Sequence, residues 1–271
     1  MQNDIAEILV SEEQIRTKVA ELGKRISEDH RGQGDALTSS PLLVIGLLRG
    51  AAVFLSDLIR EMDIPIQLDF MGISSYGIST ESGAVRLVMD LETDIAGRQV
   101  LIVEDIVDTG KTLSYLVDTL KARHPTSLRI CALLDKPDRR QVPIDVDYVG
   151  FVIPDKFVVG YGIDFAEGYR NLPFVGVLKE HLYAQVLIRG AILQQINSYL
   201  RGESTLPQLV AWAQDKLATE ELSSDDESLL RDLVDRAGKP GSSAFGLTIE
   251  DWSDLLNRLG QKLQVSTRPL A

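Results

Sequence analysis

Apolar residues along this chain fall into two kinds of pattern. Ile15, Val19, Leu22 and Ile26 are spaced four, three and four residues apart, which puts them on one face of a helix. Ser11 with Gln14 has the form of a capping box, so that helix is predicted to start there and to run to about His30. The polar, glycine-bearing stretch 31–40 reads as a loop. The second pattern is the short unbroken apolar run: Leu42-Leu43-Val44-Ile45, Val100-Leu101-Ile102-Val103, and residues 128–134. Without alternation, such runs suit strands buried on both faces. The first is followed by a turn with two glycines at 46–50 and helical periodicity over 51–62, the second by an acidic turn over 104–112 and a helical stretch over 113–123. Strand, turn and helix in repetition predict a mostly parallel α/β sheet, with ligands beyond the carboxyl ends of its strands.

Residues 67–71 and 85–89 read as two further strands. The span 72–83 between them is rich in Gly and Ser and has no apolar period, which predicts either a mobile lid or a long hairpin connection. Beyond residue 189 the strand pattern stops. Three helices are predicted there, starting at Thr205 (before Leu206-Pro207), at Ser224 (with Glu227) and at Thr248 (with Asp251). Leu209, Trp212, Leu217, Leu229, Leu230, Leu233, Val234, Trp252, Leu255, Leu256 and Leu259 supply the apolar surface of a small bundle, interrupted by a linker at 239–243. The expected organisation is an α/β domain over 1–189 and an all-α extension over 190–271.

Composition narrows the class. With 271 residues, 44% of them hydrophobic and 25% charged, the chain can bury a sizeable core and is neither collagen-like nor disordered throughout. Its 28 Lys+Arg against 40 Asp+Glu give a net charge of −12, a field that opposes non-specific attraction to nucleic acid or anionic lipid. The expectation is therefore no nucleic-acid partner and no membrane, and an anionic ligand would have to be held by local groups. The extension, with 8 Lys+Arg and 12 Asp+Glu from Gly190 onward, does not change that. One cysteine, Cys131, cannot make an internal disulfide. With no targeting pattern at the N-terminus, the expected location is the cytoplasm.

The chemistry concentrates in residues 100–112. A buried strand leads into Glu104 and Asp105, and three residues after Asp105 a third carboxylate, Asp108, opens the turn Thr109-Gly110-Lys111-Thr112 ahead of a helix. Amides at such a helix start, with the threonine hydroxyls, can wrap a phosphate monoester, and the glycine lets the chain approach closely. Gly110-Lys111-Thr112 also ends a nucleoside-triphosphate P-loop pattern, but the leading glycine of that pattern is replaced by Asp105, and three carboxylates would repel a triphosphate. A ribose diol, a divalent cation and a proton to be removed account for the acids better. Taken alone, Asp108 and Thr109 equally suit a helix cap.

At these residues the chain resembles the type I phosphoribosyltransferases, and within them the hypoxanthine-guanine enzymes. The resemblance covers residues 5–186. It implies a mostly parallel twisted sheet flanked by helices, with a small hood. It implies transfer of the phosphoribosyl group from phosphoribosyl pyrophosphate to hypoxanthine, with guanine as a second base, in purine salvage. It assigns Asp108 as the general base, and gives the phosphoribosyl and pyrophosphate contacts to Leu48, Arg49, Gly50, Ser75, Tyr76, Glu104, Asp105, Thr109, Gly110, Lys111, Thr112 and Arg170. The purine falls to Lys136, Phe157, Val158 and Asp164, and magnesium to Glu104, Asp105 and Asp164. In the family the peptide before the basic residue of the 48–50 loop is cis, and that residue is often lysine where this chain has Arg49. Related enzymes form dimers or tetramers, so a homo-oligomer is expected. The alternative is a non-catalytic regulator of the same fold that senses nucleotide and binds nucleic acid; the acidic charge and the complete set of acids, with Lys136 and Phe157, oppose it.

Overall fold

The structure is a computed structural model that describes residues 1–31, 41–75, 85–220, 222–237 and 247–261. Among them, one compact unit comprises 1–75 and 85–179, and a second begins at Glu180. Tyr76, most of the loop 31–40 and the linker 239–243 lie outside the described residues.

The first unit is built on a six-stranded sheet. Its strands are β2 (Leu42–Leu48), β3 (Ile66–Ser75), β4 (Val85–Met89), β5 (Gln99–Val107), β6 (Ser127–Asp135) and β7 (Tyr148–Val152), in the order β4-β3-β2-β5-β6-β7. All neighbours are parallel except the edge pair β3 and β4. The unbroken apolar runs are explained by the pleat. Val44, Leu101, Val103, Cys131 and Leu133 point into one core with α1 (Glu12–His30) and α2 (Ala52–Leu58). Leu43, Ile45, Val100, Ile102 and Ala132 point into the other with α3 (Lys111–Lys121). Successive residues of one strand thus serve opposite cores, so neither set can be polar. Cys131 is fully buried, and that burial pushes its thiol pKa up.

Helix α1 starts as predicted: the Gln14 amide donates to Ser11 Oγ and Ser11 N donates to Gln14 Oε1 at 2.8 Å. Several boundaries differ from the sequence reading. β2 continues through Gly46, Leu47 and Leu48, so the turn there is shorter than 46–50. β3 takes in residues 72–75, the start of the expected lid or connection, with Ser75 as its last residue. β5 carries Glu104 and Asp105 inside the strand rather than in the turn, because pairing with β6 persists to Val107↔Asp135. A separate three-stranded sheet consists of β1 (Ile5–Val10), β9 (Val175–Leu178) and β8 (Val158–Val159) in the order β1-β9-β8, strands that the apolar pattern does not predict.

The second unit contains α4 (Glu180–Leu200), α5 (Leu206–Thr219), α6 (Ser224–Ala237) and α7 (Ile249–Arg258). The three predicted helices are present, preceded by α4, which runs without a break through the boundary expected at 189/190. Ile192, Ile196, Leu209, Leu229, Leu230, Leu233, Trp252, Leu255 and Leu256 form its buried core. Thr248 and Asp251 make the predicted reciprocal cap. The cap of α6 lies one residue earlier than predicted, with the Asp226 amide donating to Ser223 Oγ at 3.2 Å. Among the described residues no helix is long and apolar enough to cross a membrane.

Candidate active site

The carboxyl ends of β2, β5 and β6 carry the residues singled out by sequence. In parallel strands these ends share one edge of the sheet, so the register Gly46↔Val103 and Val107↔Asp135 brings the 48–50, 104–112 and 135–140 segments together.

At the end of β2 the Leu48–Arg49 peptide is cis. Leu48, Arg49, Gly50, Asp105, Asp164 and Arg170 line one cavity of about 730 Å³. Gly50 leaves room for the acid, since a Cβ there would lie 1.8 Å from Asp105 Oδ2. Asp105 Oδ1 accepts from the Ile106 amide at 2.8 Å. Both acids of β5 have perturbed ionisation. Glu104 is held well above the usual carboxylate range, by desolvation first and by the charge of Asp105 second. Asp105 is raised to about 6, chiefly by desolvation, with the charge of Asp164 adding to the effect and Arg170 opposing it. Both side chains keep partial exposure, and Asp105 lines the cavity. A cation or a set of ribose hydroxyls arriving at Asp105 would favour its ionised form. Among the described residues no three His, Cys, Asp or Glu side chains converge as a metal cage. Asp105 and Asp164 on one cavity wall are instead the sparse carboxylate pair that suits a magnesium ion completing its shell with phosphate oxygens and water.

Arg170 reaches into the cavity between two anchors. Its Nη1 donates to the Gly162 carbonyl at 2.8 Å, and its Nη2 lies 2.8 Å from Asp164 Oδ1. Glu167, which sequence reasoning did not single out, pairs with Arg49 Nη1 at 2.8 Å.

The turn after β5 is fixed from behind. Thr109 O accepts from the amides of Gln141 and Val142 at 2.9 and 3.1 Å. Gly110 has φ +81°, and a Cβ there would lie 2.6 Å from the Val142 carbonyl oxygen, so glycine is required twice over. It is the N-cap of α3 and has no side chain to cap the first turn; the Lys111 amide makes only a long hydrogen bond, 3.5 Å, to Thr109 Oγ1, an arrangement suited to an oxyanion.

Asp108 and Lys136 sit side by side at the ends of β5 and β6, where Lys136 N donates to Val107 O at 2.9 Å. Lys136 is buried, and its Nζ donates to the Lys156 carbonyl at 2.6 Å. Desolvation lowers its pKa, while the charges of Asp108 and Asp155 work against that shift. Asp108 Oδ1 is enclosed and makes no aligned hydrogen bond, yet Arg139 Nε stands 3.2 Å away. The attraction is ionic, and the oxygen keeps acceptor capacity. Arg139 Nη1 also faces Asp155 Oδ1 at 3.5 Å, so this cation ties two loops together. Sequence reasoning missed Arg139 and Asp155 as well; the only available signal was their closeness to Lys136 and Phe157. Phe157 packs edge-to-face on Phe165 at 5.5 Å, and Val158 is buried in β8. Among the predicted residues, Ser75 is described only as the end of β3, and Tyr76 lies outside the described residues.

Residues 9–166 match the phosphoribosyl transferase domain family. The chain is 51% identical over 183 residues to a hypoxanthine-guanine phosphoribosyltransferase of Mycobacterium avium, covering 67% of this chain and 90% of that protein. It is 47% identical over 186 residues to the bifunctional protein TilS/HprT of Listeria innocua, covering 68% of this chain but only 28% of that much longer protein. The crystal structure of a hypoxanthine phosphoribosyltransferase from Staphylococcus aureus superposes with a TM-score of 0.63 at 45% identity, over 68% of this chain and 96% of that one. These matches leave about a third of the present chain uncovered.

Proposed function

This chain belongs to the phosphoribosyltransferase family, in its hypoxanthine-guanine branch, and from that premise we propose that it joins hypoxanthine, and guanine as a second base, to phosphoribosyl pyrophosphate, releasing pyrophosphate and a purine 5′-monophosphate for purine salvage. The observation that carries this reading is the placement of Asp108 beside Lys136, on the sheet edge that also bears the cavity lined by Arg49, Asp105 and Arg170. A proton acceptor, a donor for an exocyclic oxygen and a pair of guanidiniums are the groups this substitution needs.

The bond from ribose C1 to pyrophosphate oxygen breaks as the bond to purine N9 forms, and the N7 proton passes to Asp108. Lys136 donates to the exocyclic oxygen, where negative charge gathers as the ring loses that proton. A buried ammonium gains more from such a partner than a solvated one would. Phe157 stacks on the base and the Val158 backbone reads its edge. The first-turn amides of α3, with Thr109 and Thr112, hold the 5′-phosphate, while Glu104 and Asp105 face the ribose diol. Arg49 and Arg170 hold the pyrophosphate, Arg170 with a planar fork suited to it. Ser75 and Tyr76 belong to the segment that covers the reaction. Asp105 and Asp164, with Glu104 next to Asp105 in the strand, would hold magnesium, which would supply charge neutralisation on the leaving group when bound. The proposed setting is the cytoplasm and the proposed assembly a homo-oligomer, a dimer or tetramer.

The test is to incubate the full chain with magnesium and phosphoribosyl pyrophosphate and to measure pyrophosphate and nucleotide with hypoxanthine, guanine or xanthine. Stoichiometric pyrophosphate and nucleotide are expected with hypoxanthine and with guanine. Neither product from either base would overturn the proposal.

A further inference from the structure

Glu167 stands where the reaction proposed above has no use for a carboxylate. Its Oε2 lies 2.8 Å from Arg49 Nη1 and 3.6 Å from Arg170 Nη2. One oxygen is thus shared by two guanidiniums, that of Arg49 coming from 118 residues before Glu167, and all three residues line the same cavity. The backbone is wound to put it there. Ala166, Glu167 and Tyr169 have φ of +50°, +63° and +69°, a left-handed region that side-chain-bearing residues occupy at a free-energy cost and keep where surroundings enforce it. The Glu167 amide donates to Asp164 Oδ2 at 3.0 Å, which fixes the turn to the base of the cavity. Asp164 already pairs with Arg170 at 2.8 Å, so Glu167 adds nothing that Arg170 lacks; its own strong contact is to Arg49.

We infer that Glu167 is a resident counter-anion of the diphosphate subsite. It occupies the two guanidiniums while no diphosphate is present and is displaced when one enters. The inference rests on the proposed reading of this cavity and goes beyond it by giving one residue a role opposed to ligand affinity. Arg49 and Glu167 are 72% and 68% exposed, so the pair is weak and readily exchanged. A ligand with several phosphate oxygens can satisfy both forks at once, which a single carboxylate oxygen does not. The carboxylate keeps the cations from binding stray anions tightly, and it helps expel pyrophosphate after the transfer.

The experiment is calorimetric titration of the full chain with inorganic pyrophosphate, with and without magnesium, for the unmodified protein, Glu167→Gln and Arg49→Gln. Glu167→Gln should bind pyrophosphate about three- to fivefold more tightly, the scale of one exposed ion pair, and should lower KM for phosphoribosyl pyrophosphate without moving KM for the base. Arg49→Gln should bind it more weakly. If the unmodified protein and Arg49→Gln behave as stated but Glu167→Gln binds equally or less tightly, the counter-anion role is overturned and the reading of the cavity survives. A loss in Glu167→Gln confined to the magnesium arm would make Glu167 a metal ligand and overturn the role too. If the unmodified protein binds no pyrophosphate, the cavity reading falls and takes the inference with it. Should Glu167→Gln lack the thermal transition of the parent, Glu167→Asp, with the same charge one carbon shorter, must show a smaller gain in the same direction; a loss there refutes the role.

Discussion

The two compact units differ in where they depart from ordinary local chemistry. In the first, non-glycine residues adopt left-handed φ at Tyr161, Ala166, Glu167 and Tyr169, all within one stretch beside the cavity, and at His124 away from it. Its carboxylates Glu104 and Asp105 have raised pKa values. In the second, the positive-φ residues among those described are Gly202 and Gly260, which follow the ends of α4 and α7. There they close helix ends in the usual way, with Gln261 N donating back to Leu256 O at 2.8 Å. The one buried acid among its described residues, Asp226, is met by Arg189 Nε at 2.8 Å and by Ser223. Departures of the first kind cost free energy, and apart from His124 they gather beside the cavity; the second unit is arranged by packing.

Three substitutions press on that contrast. The largest effect is expected from Asp108→Asn, which keeps the shape of the turn and removes the proton acceptor. Turnover should fall by about 10²- to 10⁴-fold, with phosphoribosyl pyrophosphate binding nearly unchanged, as read by steady-state kinetics beside calorimetry. Full activity in that variant would remove Asp108 from the chemistry. Leu233→Ala comes next. Leu233 is fully buried in the helical core, and its truncation should cost that core about 2–5 kcal/mol. Hydrogen exchange should quicken in α4 to α7 while β2, β5 and β6 stay protected; uniform loss across both units would contradict the division. The smallest effect belongs to Asp29→Asn. The Tyr148 hydroxyl and then Arg129 hold the Asp29 pKa below its ordinary 3.8. A depressed carboxylate contributes stability that is present above that ordinary value and lost as pH falls through the folded one. The variant should therefore be slightly less stable at neutral pH, by well under about 1 kcal/mol since 40% of the Asp29 side chain is exposed. Its acid denaturation below about pH 4 should be less steep; a curve that superposes on the parent's would count against this.

The sequence was readable where one local signal decided the outcome. β2, β5 and β6 declare themselves because both faces are buried, and α1 because its cap and its stripe agree. β1 does not, since among its residues only Val10 is buried and its partner β9 lies far along the chain. α4 hides for a different reason: apolar residues such as Leu182, Val186 and Leu187 go round the helix, so no single stripe shows. At the site, the segment 104–112 is legible as contiguous residues with a chemical purpose. Glu167 and Arg139 are not, because what distinguishes them is a neighbour brought from another loop: Arg49 for the first, Asp108 and Asp155 for the second.

The burial of Cys131 has a practical side. The chain's one sulfhydryl sits in the sheet with its thiol held in the protonated form, and alkylating reagents attack the thiolate. A cysteine introduced on an exposed helix turn would be labelled against a nearly silent background. Fluorophore or spin-label pairs could then report the spacing of the sheet-bearing and helical parts during turnover, with no need to engineer the native residue away.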